Sequence, residues 1–288
     1  MKHKFLYGLA SVLLGCLLPL GAWGEVGENS SQQEAEGVSN LKPGSMIVIP
    51  EGEFIMGDND GMRNERPEHQ VWLDTYKIDR FEVTMEEYQK FLDENYSVEP
   101  PPLWDDGAAL GEASDRPAVG VTWPAAKQYC EWVGKRLPTE AEWEKAARGT
   151  DGRRFPWGHM QPFVDIARYN QGITGWVSYT LTLAPVTSGT TGMSIRHGLK
   201  TGGKSPYGLY HMAGNAAEWV ADWYDRHYYE DSPAKNPKGP KEGDGKVLRG
   251  GSWEDEPRRI RVTARATAEP DFSDLTIGFR CAKDIEKK

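Results

Sequence analysis

Leu248-Arg249-Gly250-Gly251-Ser252-Trp253, running on to Gly278-Phe279-Arg280-Cys281, is the stretch on which the reading of this chain turns. It opens as a strand and meets a glycine pair, a hydroxyl and an indole. It then crosses a segment of mixed charge, a second expected strand over Ile260 to Ala266, and closes on Ile277-Gly278-Phe279-Arg280-Cys281. Paired glycines let backbone come close to backbone or ligand. The Ser-Trp step beside them fits either a pocket wall or a β-turn over a core tryptophan.

The surrounding composition narrows the choice. Hydrophobic residues make up only 38%, yet there are 11 Trp, 12 Tyr and 8 Phe, with 32 Gly and 19 Pro. This predicts a loop-rich domain whose core is built from large aromatics rather than long aliphatic helices. The net charge of -9 comes with no long basic run, which argues against nucleic-acid binding.

The first residues read as an address. Met1 to Lys4 is basic, Phe5 to Ala22 is apolar, and Ala22-Trp23-Gly24 places small residues for cleavage before Glu25. Residues 1–24 are therefore expected to be a signal peptide, and the protein to be exported to a periplasmic or extracellular space. Leu13-Leu14-Gly15-Cys16 also resembles a lipoprotein cleavage box, and membrane attachment would follow only if Cys16 were lipidated. Residues 25–44 read as a flexible polar tether.

The folded region is expected over residues 45–285. Met46 to Pro50, Gly52 to Gly57, Gln70 to Asp74 and Tyr76 to Asp79 read as short strands. Thr84-Met85-Glu86-Glu87 and Thr139-Glu140-Ala141-Glu142 are capping boxes opening helices. The first helix would bury Tyr88, Phe91 and Leu92, the second Trp143, Ala146 and Ala147. Pro117 to Trp123 is expected as a strand ending at an N-cap Thr122, followed by a helix carrying Ala126, Tyr129, Cys130 and Val133 inward. Residues 190–203 look like an inserted loop.

Gly52 to Gly57, Gly134 to Trp143, Phe155 to Gly158, Gly208 to Trp219, Arg249 to Trp253 and Gly278 to Cys281 together resemble the formylglycine-generating enzyme, or sulfatase-modifying factor, superfamily. The blocks are in register from Met46 to about Asp284. The resemblance implies an α+β fold of the C-type-lectin-like kind: a single compact, loop-rich domain with little regular secondary structure.

It also implies ligands. The family segment matching Gly214-Asn215-Ala216-Ala217-Glu218 holds a structural calcium, which assigns Asn215, Glu218 and the carbonyls of Gly214 and Ala216 to that ion here. Hard oxygen donors of this kind suit Ca²⁺, although a hydrogen-bonded turn would use the same residues. At the family's second calcium site this chain reads Arg168-Tyr169 and Thr187, so that site is expected to be lost. His227 with Asp222, Asp225 and Glu230 is the densest further cluster, fitting a metal or a solvated acidic loop.

Past the leader only Cys130 and Cys281 remain, and two cysteines in an oxidising compartment favour a bridge. The resemblance places both at a structural disulfide. The family's oxygen-activating copper is held by two thiolates just after Gly-Gly-Ser, as linear Cu(I) requires. Here that segment is Glu254-Asp255-Glu256-Pro257-Arg258, with Asp255 at the first thiolate position and no cysteine. Formylglycine generation by that route is not expected. No His-x-x-x-His-x-Glu pattern of the ergothioneine-biosynthesis relatives occurs, while exported relatives of the pyoverdine-maturation type match in size and address.

Two functions stay open. One is an oxidative tailoring enzyme acting on a peptide or siderophore-like substrate, with groove candidates Ser252, Trp253, Trp219, Asp255 and Arg249 and with iron or copper as redox metal. The alternative is a non-catalytic module binding a peptide, glycan, protein or small molecule in the same surface groove; the missing cysteines favour this alternative, while the retained Arg249-Gly250-Gly251-Ser252-Trp253 motif keeps the tailoring enzyme as the first reading.

Overall fold

The opening strands form as read: β1 (Met46–Ile49), β2 (Gly52–Met56), β3 (His69–Leu73) and β4 (Tyr76–Asp79). β2 and β3 pair antiparallel, with Phe54 facing Val71, and the alternation buries Phe54 and Met56 while exposing Glu53 and Ile55. The computed structural model describes residues 42–101, 104, 113–163, 166–170, 183–188 and 203–285. The expected leader, most of the tether and most of the 190–203 insertion lie outside the described residues.

Helix α1 (Met85–Glu94) starts at the Thr84 capping box, in which the hydroxyl accepts from Glu87 N and Glu87 accepts from Thr84 N. Its inner face buries Met85, Tyr88, Phe91 and Leu92. Tyr88 meets the rings of Phe91, Trp104, Tyr129 and Phe279, so this half of the core is aromatic, as the composition requires. Helix α2 (Trp123–Trp132) delivers Tyr129 and Cys130 to the same core.

Two local expectations fail for physical reasons. Pro117 to Trp123 is not a strand. Pro117 makes one isolated bridge to Thr84, and Gly120, at φ 77°, turns its N–H toward the carbonyls of Asp274 and Ile277. Thr122 has the extended backbone of an N-cap but makes no side-chain cap bond, since the proline in the first turn lacks one of the N–H groups a cap would bind.

Helix α3 (Glu140–Arg148) keeps its Thr139 capping box but exceeds the expected burial: all nine of its residues are buried, charged ones included. It packs against β2 and β5 (Ala217–Trp223). β5 lies in a four-stranded sheet ordered β7-β6-β5-β8, with β6 (Lys246–Arg249) antiparallel and β8 (Ile277–Phe279) parallel to it. The strand expected over Ile260 to Ala266 is displaced: β7 is Arg265–Ala268, and the chain before it turns as Val262 N donates to Arg154 O. A three-stranded sheet, β1-β4-β9, is closed by β9 (Ala282–Asp284).

Cys130 and Cys281 are joined in a disulfide with their Cα atoms 5.7 Å apart. It ties α2 to the segment between β8 and β9. The architecture is α+β with little regular secondary structure, in agreement with the sequence.

Candidate functional site

The glycine pair is required where it stands. Gly250 and Gly251 have φ of 84° and 64°, and a Cβ on Gly251 would lie 2.8 Å from Arg259 O and 2.9 Å from the Ile260 methyl. The chain therefore turns back on itself directly after β6.

Asp255 fixes the next turn. Its Oδ2 accepts from both the backbone N and the hydroxyl of Ser252 at 2.9 Å, and its Oδ1 lies 3.7 Å from Arg259 Nε. At the position where the resemblance puts a copper thiolate, the carboxylate serves as a turn staple.

The other groove candidates are interior groups. Ser252 and Trp253 are each 2% exposed; Trp253 N donates to Asn215 O at 2.9 Å and its indole N–H reaches Leu275 O at 3.4 Å. Trp219 is fully buried and donates to Val121 O at 2.8 Å. Arg249 is enclosed by Glu144 at 2.6 Å, Glu140 at 3.2 Å and the Val262 carbonyl at 2.6 Å. These four groove candidates therefore sit in the interior, whereas Asp255 lines a cleft.

That cleft, of about 120 Å³, crosses one face of the four-stranded sheet over Ala217, Leu248, Ala266 and Ile277, between Asp255 with Arg259 and Met62. Met62 belongs to the Asp58 to Glu68 loop. It also borders a cleft of about 440 Å³ beside Arg154 and Arg258, and one of about 500 Å³ beside Arg63, Tyr224 and Arg226. In the sequence this loop is a polar stretch between two expected strands, with no motif that marks a site. Its signal was an exposed methionine next to arginines in an acidic chain. A separate cleft of about 350 Å³ lies at Tyr76, Arg136 and Glu142.

The loop is held by Glu65, which is fully buried and accepts from Arg261 at 2.6 and 2.8 Å and from the Thr263 hydroxyl at 2.7 Å. Arg265 similarly pairs with Glu140 at 2.7 and 2.9 Å. Such pairs are desolvated and expensive to break singly.

Both side chains assigned to calcium are engaged by protein partners. Glu218 accepts two bonds from Arg280, at 2.6 and 2.7 Å, and one from the Trp143 indole at 2.8 Å. Asn215 Oδ1 accepts from Ala184 N at 2.9 Å, and Asn215 Nδ2 donates to Glu82 at 2.7 Å. Burial, and next the Glu218 charge, push Glu82 up to about 8. With a guanidinium already on the only carboxylate of the set, these residues do not fit a calcium ion as arranged. The turn contributes a hydrogen-bonded network.

His227, Asp222, Asp225 and Glu230 are not gathered either. Asp222 is buried and accepts from Glu140 N at 2.8 Å, with burial and then Glu140 pushing it up to about 8. His227 pairs with Glu230 at 2.8 Å in the open. Among the described residues no group of three or more His, Cys, Asp or Glu side chains could hold a metal ion, and no helix is long and apolar enough to cross a membrane.

A mixed fold of short strands around an aromatic core, with a glycine-turned cleft on a four-stranded sheet, defines the formylglycine-generating-enzyme class of domain. Residues 31–285 match the model of the sulfatase-modifying factor enzyme 1-like domain, and the chain belongs to that family. It is 33% identical to the formylglycine-generating enzyme of Streptomyces coelicolor, over 83% of this chain and 89% of the relative. It is 30% identical to the inactive C-alpha-formylglycine-generating enzyme 2 of Mus musculus, over 83% and 85%. It is 35% identical to the serine/threonine-protein kinase pkn1 of Chlamydia caviae over 84% of this chain, but spans only 38% of that relative's length. Among solved structures, Treponema denticola variable protein 1 is similar at TM-score 0.66 and 26% identity, covering 83% of this chain and 95% of the other. PvdO from Pseudomonas aeruginosa is similar at TM-score 0.65 and 26% identity, covering 85% and 99%.

Proposed function

We propose that the chain is an exported, non-catalytic member of its family that binds a peptide in the cleft system around Met62, Gly251 and Asp255. One observation carries this reading: at the family's thiolate position Asp255 is bound to Ser252, and both cysteines of the folded region are joined to each other. The cleft thus offers no thiolate, either as nucleophile or as copper ligand. The relative named as inactive supports the same reading, and the disulfide accords with an oxidising compartment.

A second reading is favoured by the likeness to PvdO: oxidative tailoring of a peptide or siderophore-like molecule, with iron or copper recruited to the same face.

One protein preparation tests both. Selection of a random peptide library on the full chain, followed by calorimetry of enriched peptides, should yield binders. Ala266→Trp, an exposed position in the cleft, should abolish their binding without lowering Tm. With iron or copper supplied, oxygen consumption in the presence of the bound peptide should stay at the buffer rate. Metal-dependent oxygen uptake would replace the binding reading with the oxidative one, and failure to select any cleft-dependent peptide would remove the binding reading.

A further inference from the structure

Charge on the cleft face runs against the charge of the chain. The whole protein is net -9, yet the four clefts that meet around Met62 and Arg63 are lined by eight arginines and three acidic residues. Some of these arginines are structural: Arg265 and Arg261 are committed to Glu140 and Glu65. Others are not. Arg63 and Arg226 are exposed, and neither side chain makes an ion pair or hydrogen bond to any described residue. They border together two clefts, of about 500 and 600 Å³, and the first of these shares Met62 with the small apolar cleft on the sheet.

We infer that Arg63 and Arg226 form an anion subsite that selects an acidic peptide, whose carboxylates they hold while a neighbouring small apolar side chain enters the cleft between Met62 and Leu248. This rests on the peptide-binding reading above and adds the class of peptide. The free guanidiniums present planar, paired donors matched to carboxylates. Leaving two cations unpaired on an otherwise acidic surface raises the local concentration of anionic ligands. The apolar cleft, at about 120 Å³, has room for one aliphatic side chain. Beyond the patch the surface is net negative, which repels a long polyanion and limits the ligand to a short charged segment.

Fluorescence anisotropy with labelled ten-residue peptide pools tests the inference on the full chain. One pool carries alternating Asp or Glu, one Lys or Arg, and one only neutral residues. The acidic pool should bind at least about ten-fold tighter than the others, and weaken as salt rises from 50 mM to 500 mM. Arg63→Glu and Arg226→Glu should each remove most of that preference with Tm unchanged, since both side chains are exposed and unpaired. Arg226→Lys should retain part of it.

If neutral and acidic pools bind equally and charge reversal changes nothing, the anion subsite is wrong while peptide binding stands. If no pool binds and Ala266→Trp has no effect on any selected peptide, both fall together. Binding of single-stranded DNA or anionic vesicles, lost in Arg226→Glu, with no acidic-peptide binding would overturn the inference in favour of another polyanion.

Discussion

Glu218 on β5 and Arg280 after β8 face each other with no solvent exposure, joined by Nη2–Oε1 and Nε–Oε2 bonds of 2.6 and 2.7 Å. The pair links two strands that run parallel, and it occupies the carboxylate that the family resemblance gives to calcium. Glu218→Gln strips the guanidinium of its charge partner inside the core. The expected loss is about 3–5 kcal/mol, read as a lower urea midpoint. Replacing both residues by methionine should restore a large part of it. If Glu218→Gln alone leaves the midpoint unchanged, the pair is not a support of the fold.

Calcium removal follows from the same geometry. With Arg280 on Glu218 and Ala184 N on Asn215, dialysis against EGTA should leave Tm unchanged, and added calcium should not raise it. A rise in Tm that saturates with calcium would return Asn215 and Glu218 to ligand duty.

The disulfide spans a sequence separation of 151 residues. The double variant Cys130→Ala/Cys281→Ala should lose about 2–5 kcal/mol in chemical denaturation, since the unfolded chain regains the freedom the bridge removed. Peptide binding by the folded fraction should be untouched, because neither cysteine lines the cleft.

Asp222 gives the pH dependence. Burial first, and Glu140 next, raise its folded pKa from 3.8 to about 8. A raised pKa means the folded state holds the proton more tightly. Its contribution is therefore complete below pH 3.8 and is lost as pH rises through about 8. Tm should fall as pH rises from about 4 to about 8, and Asp222→Asn, which keeps an oxygen for the Glu140 N–H, should flatten that part of the profile. An unchanged slope in the variant would assign the dependence to other groups.

What the sequence disclosed was what short-range chemistry determines. The Thr84 and Thr139 capping boxes each close within four residues, and both formed. Alternation located the strands β3 and β4, but their pairing, β2 with β3 and β1 with β4, came only with the structure. The pairing of Cys130 with Cys281 came from the family likeness, and the structure has it. Misreadings occurred where partners are remote. On α3 only Trp143, Ala146 and Ala147 were expected inward; Glu140, Glu144 and Arg148 are buried too, because their partners Arg249, Arg265 and the Gly57 and Ile55 carbonyls lie on other elements. Trp219, Trp253 and Arg249 read as groove candidates because the motif names residue types, and burial depends on packing the motif does not encode. The arginines that face the cleft, Arg63 and Arg226, sit more than 150 positions apart and share no local signal.

The flanking position of β1 and β9 on either side of β4 has a topological consequence. The first and last strands of the domain are separated by one strand, so roughly 10 Å lies between their axes. Neither contributes a residue to the clefts around Met62. β1 and β9 both run antiparallel to β4, so residue 45 lies by Asp79 and residue 285 by Tyr76, at opposite ends of that strand. A circular permutant that joins them through a glycine-serine bridge long enough to run the length of β4 as well as across it, roughly 20 Å, with new ends opened elsewhere on the surface, should keep the cleft face intact. The ends could then be moved for immobilisation without touching the surface that meets the ligand.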